Sequence, residues 1–447
     1  MRHQKQRKQQ SVRRESLEQR LERHPKLKEQ MEALVAIAEN RDGNLEIADD
    51  AEGAILQQVR QMGGQTLREW AQQQADRKAA ELLQLNPSAC KHKKNLTWNS
   101  IFGPVRVVEQ RFRHGRQGPS LRPFLVSARV RNRGYSKLLE RAITDFGADV
   151  AFEHIPKKVR EHYGIEVARN AAREITERQG ARMLEQESVQ TQIPDRPGVA
   201  VVVAELDGSM IPVVRTAEPA PGLDRRTTRQ LEWQEARLAL AYRQGSVTPR
   251  FGATLGGPEK AGAQWADCVI RSGAGQQTFI HCLGDGAPWI AEQAEQRFGT
   301  QARYLIDLFH LSEYLSAAAR VADQPQAWLE QQKQDLKQNQ SDAVLDALAP
   351  HLERHKATAD KPAPVKACYR YIHNRSGQFD YQSALVAGLP IGSGEVESAH
   401  RYVIQARLKL AGAWWKEDNA AKMLALRIVR ANNEWEAYWQ NSNQKAA

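Results

Sequence analysis

The sequence lacks the long apolar runs and the leader that membrane and secreted proteins carry. Its longest uninterrupted apolar stretch is Val199–Ala204, whereas a membrane-spanning helix needs roughly 18 to 20 such residues. The first residues, MRHQKQRKQQ, are charged and rich in glutamine, without the apolar core of a secretory signal. We therefore predict no transmembrane helix and a cytoplasmic location.

Cysteine is also scarce. The four cysteines, Cys90, Cys268, Cys282 and Cys368, form no C-x-x-C pair. This scatter argues against a zinc ribbon or a disulfide framework and indicates a reducing compartment.

Acidic residues are outnumbered by basic ones. The chain has 64 Lys and Arg against 53 Asp and Glu, which gives a net charge of +11 over 447 residues. This sign favours a polyanionic partner, with nucleic acid first. Hydrophobic residues make up 41% of the chain, which predicts folded domains, and the length allows two or three of them.

The beginning of the chain is predicted to be basic and then helical. Residues 1–45 are interpreted as a basic N-terminal arm running into helix, with a solvated, fraying terminus as the alternative. Residues 46–95 repeat apolar positions at intervals of three and four, which predicts a helical hairpin. Because Gly63 and Gly64 interrupt the pattern, the hairpin is expected to turn there.

A basic DNA-binding region is predicted at residues 96–192. Between Ile101 and Arg141, ten Lys or Arg residues stand against two Glu. A strand-like stretch at 105–109 lies among glycines and prolines. This density of positive charge is typical of a segment that contacts phosphates.

The later part of this region has the outline of a helix-turn-helix. Residues 149–184 read as two helices, with Tyr163-Gly164 at the turn and a second helix at 166–178. The alternative is an ordinary helical hairpin with solvated arginines. The arginines predicted to bind DNA are Arg111, Arg113, Arg129, Arg131, Arg133, Arg169 and Arg173.

After a proline-rich linker at 192–198, the pattern becomes mixed α/β. The predicted strands are 199–206, 210–214, 237–242, 278–283 and 302–306. The predicted helices are 287–298, 308–320, 325–338, 342–355, 381–386 and 395 onward to 439.

Two of these strands are each expected to end in Asp-Gly, at Asp207 and Asp285. A carboxylate at a strand end projects into the crevice where ligands bind, although Asp before Gly is more often a simple turn former. Hard oxygen ligands of this kind suit Mg²⁺. The stretch LPIGSGEVESAH offers a third acid in Glu395 or Glu397, which lie on different faces of a helix. The register with Arg401 favours Glu397.

Taken in order, these motifs resemble a known family. Asp207 (AELDGS), Asp285 (LGDGAPWI), Asp307-x-x-His310 (DLFH) and Glu397 (PIGSGEVESAH) are followed by KLAGAWW and MLALR. The set resembles bacterial insertion-sequence transposases of the ISKra type, which are similar to the Mutator-like group. The resemblance covers about residues 97–440, and its most specific part is the Gly-Ser-Gly-x-x-Glu block. Relatives often carry a Cys pair before the helix-turn-helix, which 111–118 lacks, so no zinc is predicted there.

The resemblance implies a fold and a reaction. The fold is an RNase H-like catalytic domain, here 193–310 and 388–447, with a helical insertion at 311–387. The reaction is metal-dependent DNA strand cleavage and strand transfer at terminal inverted repeats and target DNA, by a homo-oligomer in the bacterial nucleoid. The alternatives are an RNase H-like structure-selective nuclease that does not join strands and a non-catalytic DNA-binding repressor.

The resemblance also implies the site residues. Asp207, Asp285 and Glu397 would be the catalytic ligands of Mg²⁺, with Mn²⁺ as the alternative ion, and Asp207 would bridge two ions. Asp307 and His310 would be auxiliary. Both have a plain structural alternative, since Asp307 is placed to cap a helix and His310 to lie in a core.

Overall fold

A computed structural model describes residues 15–85, 90–113, 120–358 and 360–444. The described chain divides into two compact units. The first comprises the residues up to Asp145 together with Glu153–Ala172, and the second comprises Phe146–Phe152 together with the residues from Arg173 onward. Among the described residues, no helix combines the length and the apolar character needed to cross a lipid bilayer. The finer division predicted from the sequence stays a prediction.

The first unit consists of helices and one small antiparallel sheet. Its elements are α1 (Leu17–Leu21), α2 (Pro25–Ala38), α3 (Ala48–Leu85), β1 (Cys90–Ser100), β2 (Gly103–Arg113), β3 (Ser120–Leu121), α4 (Pro123–Ser127), α5 (Lys137–Asp149) and α6 (Ile155–Tyr163). The last turn of α5 belongs to the second unit. The sheet order is β1-β2-β3.

The prediction that a helical hairpin turns at Gly63-Gly64 was wrong, because α3 runs unbroken through both glycines. They serve close packing instead: a Cβ on Gly63 would lie 2.6 Å from the ring of Phe102. A pair of helices does form, but it consists of α2 and α3. The Gln58 side-chain amide donates to the Gln30 carbonyl at 2.9 Å across it.

The region predicted as a helix-turn-helix contains two successive helices, α6 and a longer one after it, whose bounds differ from the prediction. Helix α6 ends at Gly164, whose φ of 67° is the left-handed conformation of a helix C-terminus. The next helix, α7 (Arg169–Glu185), starts later and runs further than the predicted 166–178. In the second unit, Thr176 and Gln179 of α7 are buried. That part of α7 therefore packs as a core helix.

The second unit is built on a five-stranded mixed sheet. Its strands are β4 (Val201–Thr216), β5 (Arg229–Arg243), β6 (Arg250–Thr254), β7 (Phe279–Gly284) and β8 (Ala302–Ile306). The order is β6-β5-β4-β7-β8. The pairs β4–β5 and β5–β6 are antiparallel, and β4–β7 and β7–β8 are parallel. The mixed α/β class and the last two strands agree with the prediction.

The two predicted strands 199–206 and 210–214 form a single strand in the structure. Strand β4 continues through Asp207-Gly208, so the prediction that a strand ends there was wrong. Asp207 pairs with Leu238 and Gly208 with Arg237 in the ladder with β5. This pairing overrides the turn tendency of Asp-Gly. Gly208 makes room for Glu235, whose Oε1 would lie 2.0 Å from an added Cβ.

Helices cover the sheet on both faces. They are α8 (Pro258–Arg271), α9 (Pro288–Phe298), α10 (Leu308–Ala318), α11 (Pro325–Lys337), α12 (Ser341–Leu348), α13 (Pro364–His373), α14 (Tyr381–Val386), α15 (Gly394–Ala399), α16 (Ala406–Leu408), α17 (Glu417–Ala431) and α18 (Trp435–Gln444). Helix α12 is shorter than the predicted 342–355 and is followed by Pro350. Helix α13 was not predicted.

Alternate residues of β4 face different helices. Val202, Ala204 and Leu206 share a core with residues of α8 and α9. On the other face, Val203 packs with the helices of the 311–387 segment. Ile211, further along that face, packs with α15 to α17. Residues 205 and 207 lie on this same face, between Val203 and Ile211. They therefore face the place where the helices of the 311–387 segment and helices α15 to α17 meet on the sheet.

The prediction of continuous helix from 395 to 439 was also wrong. A π-helical turn, His400–Gln405, follows α15, and the helix ends after α16. Gly412 has φ 74°, and Trp415 then pairs with Val213 at the edge of β4. The chain leaves the helix in this segment because Trp415 pairs with the edge of β4 and its ring is buried in the core.

Candidate active site

Asp207 lies in the middle of β4 and is partly exposed. Its Oδ2 lies 3.1 Å from Nε2 of His400, whose side chain is only 5% exposed. His400 comes three residues after Glu397, one turn along the same side of the helix. His400 was not selected from the sequence. Its position three residues after Glu397, within PIGSGEVESAH, was the signal that could have identified it.

Asp285 directly follows β7, as predicted, and its turn is held from two sides. Its Oδ1 accepts a hydrogen bond from the Ala287 N–H at 2.8 Å. The Tyr371 hydroxyl of α13 donates to the Asp285 carbonyl at 2.6 Å, and Nε of Arg375, just after α13, donates to the Gly286 carbonyl at 2.6 Å. Gly286 has φ 81°, which favours glycine. The helical segment 311–387 thus fixes this strand end.

Asp307 follows β8 and is fully engaged as a structural group. Its Oδ1 accepts from the N–H groups of Phe309 at 2.6 Å and His310 at 3.4 Å, which caps α10. Its Oδ2 accepts from the Ser393 N–H at 3.0 Å and from the Ser393 hydroxyl. The capping alternative is therefore what the geometry shows. Asp307 joins the end of β8 to the Gly-Ser-Gly loop.

His310 is half-buried beside aromatic rings. Its ring centroid lies 5.7 Å from that of Tyr314 and 6.1 Å from that of Tyr371. Tyr371 is the residue that holds the Asp285 turn. An auxiliary role of His310 stays a prediction.

The loop and first turn that carry Glu397 are anchored by buried polar groups of three strands. His281 of β7 donates through Nε2 to the Pro390 carbonyl at 2.8 Å. Asp307, after β8, accepts from Ser393. Glu205 of β4 accepts from the Val396 N–H at 2.9 Å. The sequence reasoning missed Glu205, although its position two residues before Asp207 puts it on the same strand face.

Glu395 and Glu397 face different surroundings, as their spacing predicts. Burial raises the pKa values of Glu205 and Tyr402, and the charge of Glu395 adds to both rises. The charges of Asp307 and Asp207 instead act on Glu397: partial burial raises its pKa first, and these two carboxylates raise it further. Glu397 is therefore the acid that lies within electrostatic reach of Asp207.

Tyr371 lies within electrostatic reach of both Asp285 and Asp307. Burial raises the pKa of the Tyr371 hydroxyl, and the charges of both Asp285 and Asp307 add to the rise. The structure thus places Asp207 and Asp307 within electrostatic reach of Glu397, and Asp285 beside the tyrosine that also feels the charge of Asp307. In the described residues, no three or more His, Cys, Asp or Glu side chains are positioned to hold a metal ion together.

The predicted DNA-binding arginines fall into two groups. Arg111 and Arg113 lie at the end of β2, and Arg129, Arg131 and Arg133 lie in the segment after α4. Of these five, all except Arg111 are exposed, and Arg111 donates to the Ser120 hydroxyl. The other group is on α7, where Arg169 and Arg173 are both exposed. Arg173 Nη1 lies 3.9 Å from Oε1 of Glu177.

The segment from α8 to α18 supplies most of the acids just described. Residues 258–442 match an uncharacterised protein family, UPF0236. The matched segment is less than half of the chain. It contains Asp285, Asp307 and Glu397, whereas Asp207 and Glu205 lie before it. A comparison with curated proteins gave no match.

Proposed function

We propose that this protein is a DNA transposase of an insertion sequence, of the ISKra type, which cuts and joins DNA strands with Asp207, Asp285 and Glu397. The observation that carries the proposal is that the helical segment bearing Glu397 packs against Asp207 of the central strand, where His400 Nε2 lies 3.1 Å from Asp207 Oδ2. The charges of Asp207 and Asp307 act on Glu397, although these acids are far apart in sequence. Like charges gathered at a sheet surface are the arrangement that a divalent cation would relieve.

The fold supports the proposal. An RNase H-like domain has three antiparallel strands followed by two parallel ones, in the order 3-2-1-4-5, and β4 to β8 have that order and those directions. The first acid lies on the central strand β4 and the second follows β7. The third begins a helix after a long helical segment, where the resemblance expects an insertion.

The donor chemistry fits Mg²⁺, or Mn²⁺ as the alternative. Carboxylate oxygens are the ligands that hard divalent cations prefer, and burial together with the nearby carboxylates raises the pKa of Glu397. Asp207, Asp285 and Glu397 would hold the ion after their side chains turn towards it, since in the described residues they do not already surround a common point. When bound, it would supply positive charge that lowers the pKa of a water molecule and stabilises developing charge on phosphate oxygens.

The protein's own groups position this chemistry. In cleavage, a water oxygen bonds to phosphorus, the bond from phosphorus to the 3′ oxygen breaks, and the products are a 3′-hydroxyl and a 5′-phosphate. In joining, that 3′-hydroxyl attacks a target phosphodiester. Glu205 and Asp307 fix the turn that presents Glu397, and the His400 ring contacts Asp207.

Cleavage is tested with the duplex DNA that flanks the gene. We expect Mg²⁺-dependent nicking by the wild type, and its loss in Asp207→Asn by at least about 10²-fold, because one carboxylate charge is removed from the site. Binding of the same duplex, measured by gel shift, should be unchanged. Nicking that survives Asp207→Asn would refute the proposed site.

Glu395 and Glu397 provide a matched pair of variants. Glu397→Gln should abolish nicking, whereas Glu395→Gln, two residues away on another face, should retain most of it. Circular dichroism of both variants controls for folding. The reverse result would show that Glu395 is the catalytic acid.

The products distinguish the candidate activities. A transposase should join the cleaved 3′ end to a second plasmid, which sequencing across the junction detects. Cleavage without any junctions would support the structure-selective nuclease instead. DNA binding with neither activity would support a non-catalytic repressor.

A further inference from the structure

The strands β1 and β2 form a long two-stranded ribbon in the first unit. They pair antiparallel over eleven residues each, from Cys90–Arg113 to Ser100–Gly103. At about 3.3 Å per residue this ribbon is roughly 35 Å long. One face is covered by α3: Leu96, Trp98, Val105 and Val107 are buried there.

The opposite face of the ribbon carries side chains that can read DNA bases. Register pairs Lys93 with Gln110, Asn95 with Val108, and Thr97 with Arg106 on that face. Lys93, Asn95, Arg106 and Val108 are exposed. Asn, Arg and Lys hydrogen-bond base edges, and apolar groups contact thymine methyls.

The charge of this part of the chain is almost entirely positive. Residues 90–113 and 120–136 contain ten Lys or Arg and a single acid, Glu109. Glu109 is on the covered face, with its side chain 1% exposed, and accepts from Arg122 Nε at 2.5 Å. Arg122 therefore compensates its charge, Lys94 is its partner in the β1–β2 register, and these segments contain no other acid.

A loop places further arginines along the edge of the ribbon. The Arg133 N–H donates to the Thr97 carbonyl at 2.6 Å, and the Asn99 N–H donates to the Gly134 carbonyl at 2.9 Å. Arg129 and Arg133 have φ values of 53° and 60°. Left-handed backbone is uncommon for arginine; at Arg129 it ends α4, where the Val130 N–H donates to the Leu125 carbonyl at 3.2 Å.

We propose that the β1–β2 ribbon is the DNA-reading element of this protein, inserting its Lys93–Arg106 face into the major groove while Arg129, Arg131 and Arg133 contact the flanking phosphates. A two-stranded ribbon fits the major groove of B-DNA, which is about 12 Å wide. The inference rests on the proposed DNA partner. It goes beyond the sequence prediction, which listed arginines of this region and of the helix-turn-helix as DNA-binding without assigning the reading of bases to either.

The test uses the full-length chain in EDTA, so that cleavage does not interfere, and a pool of randomised DNA duplexes. Two double variants are compared: Lys93→Ala with Arg106→Ala on the ribbon, and Arg169→Ala with Arg173→Ala on α7. Lys356→Ala with Lys361→Ala, exposed in the helical insertion, is the control for loss of two charges. Affinity is measured from 50 to 200 mM salt.

The ribbon variant should bind the selected sequence at least tenfold more weakly and lose its sequence selection, because Lys93 and Arg106 contact base edges in the proposed complex. The α7 and insertion variants should differ from the wild type by less than threefold. Asn95→Ala removes no charge, so it should change the selected sequence while leaving the salt slope unchanged.

Methylation interference separates the grooves. Methylation of guanine N7, which lies in the major groove, should block binding of the wild type. Equal affinity and equal sequence selection by the wild type, the ribbon variant and Asn95→Ala would overturn the inference, as would interference confined to adenine N3. Selective binding without any Mg²⁺-dependent nicking would leave the ribbon assignment standing and refute the transposase. Absence of DNA binding by the wild type would refute both.

Discussion

Replacing Glu205 with glutamine should make this protein more stable at neutral and alkaline pH. The Glu205 side chain is fully buried beneath the helix that carries Glu397. It accepts from the Val396 N–H at 2.9 Å and from the Tyr242 hydroxyl at 3.4 Å. Burial raises the pKa of its carboxyl from 4.5 to about 8, and the charge of Glu395 adds to the rise.

The direction of the pH effect follows from proton binding. Between pH 4.5 and 8 the folded protein holds a proton on Glu205 that the unfolded chain has released. Stability contributed by this group is therefore fully present below pH 4.5, falls as the pH rises towards 8 and then levels off. At about 1.4 kcal/mol per pKa unit, the wild type should lose about 3 to 4 kcal/mol between pH 5 and pH 8 relative to the Glu205→Gln variant.

The measurement is urea unfolding at pH 5, 6, 7 and 8 in EDTA, followed by circular dichroism. Glutamine is similar in shape, and its carbonyl can accept from Val396 while its amide faces the Tyr242 oxygen. Glu295→Gln, at an exposed position, is the control and should stay within about 0.5 kcal/mol of the wild type. A difference between Glu205→Gln and the wild type that does not grow with pH would refute the reasoning.

The remaining predictions concern packing and capping. Asp307→Ala removes a helix cap and leaves the buried Ser393 N–H without its acceptor, so it should lower the unfolding free energy by about 2 to 4 kcal/mol. Asp346→Ala, exposed on α12, should change it little. Gly180→Ala should destabilise by about 1 to 3 kcal/mol because a Cβ would lie 2.6 Å from the Lys422 carbonyl. Gly53→Ala, in a helix with open space around it, should stabilise by about 0.5 to 1 kcal/mol. Urea titrations check each pair, and equal effects within a pair would contradict the packing argument.

Local sequence patterns predicted correctly those elements whose burial and ends match what their composition favours. The strand at 302–306 was predicted to the residue, because a short apolar run between helices has few alternatives. The strand before Asp285 was misplaced by one residue. The difference in orientation between Glu395 and Glu397 also followed from helical geometry alone.

Other features depended on contacts between distant residues. Asp-Gly at 207 is a turn signal by composition, yet pairing with β5 keeps it inside a strand. Gly63-Gly64 is a helix breaker by composition, yet the ring of Phe102 occupies the space that the glycines leave. In both places a neighbour far along the chain decided the conformation, and no local pattern contains that neighbour.

The sequence by itself therefore determined the last two strands of the sheet and the basic character of the region 101–141, and it named Asp207, Asp285 and Glu397 as candidates for one site. Only the tertiary structure decided that Asp307 is a cap, that Glu205 lies buried beside the site, and that the basic residues line a ribbon. The reason is physical: periodicity and charge are properties of neighbours in sequence, whereas burial, shifted pKa values and hydrogen-bond partners are set by residues that folding brings together.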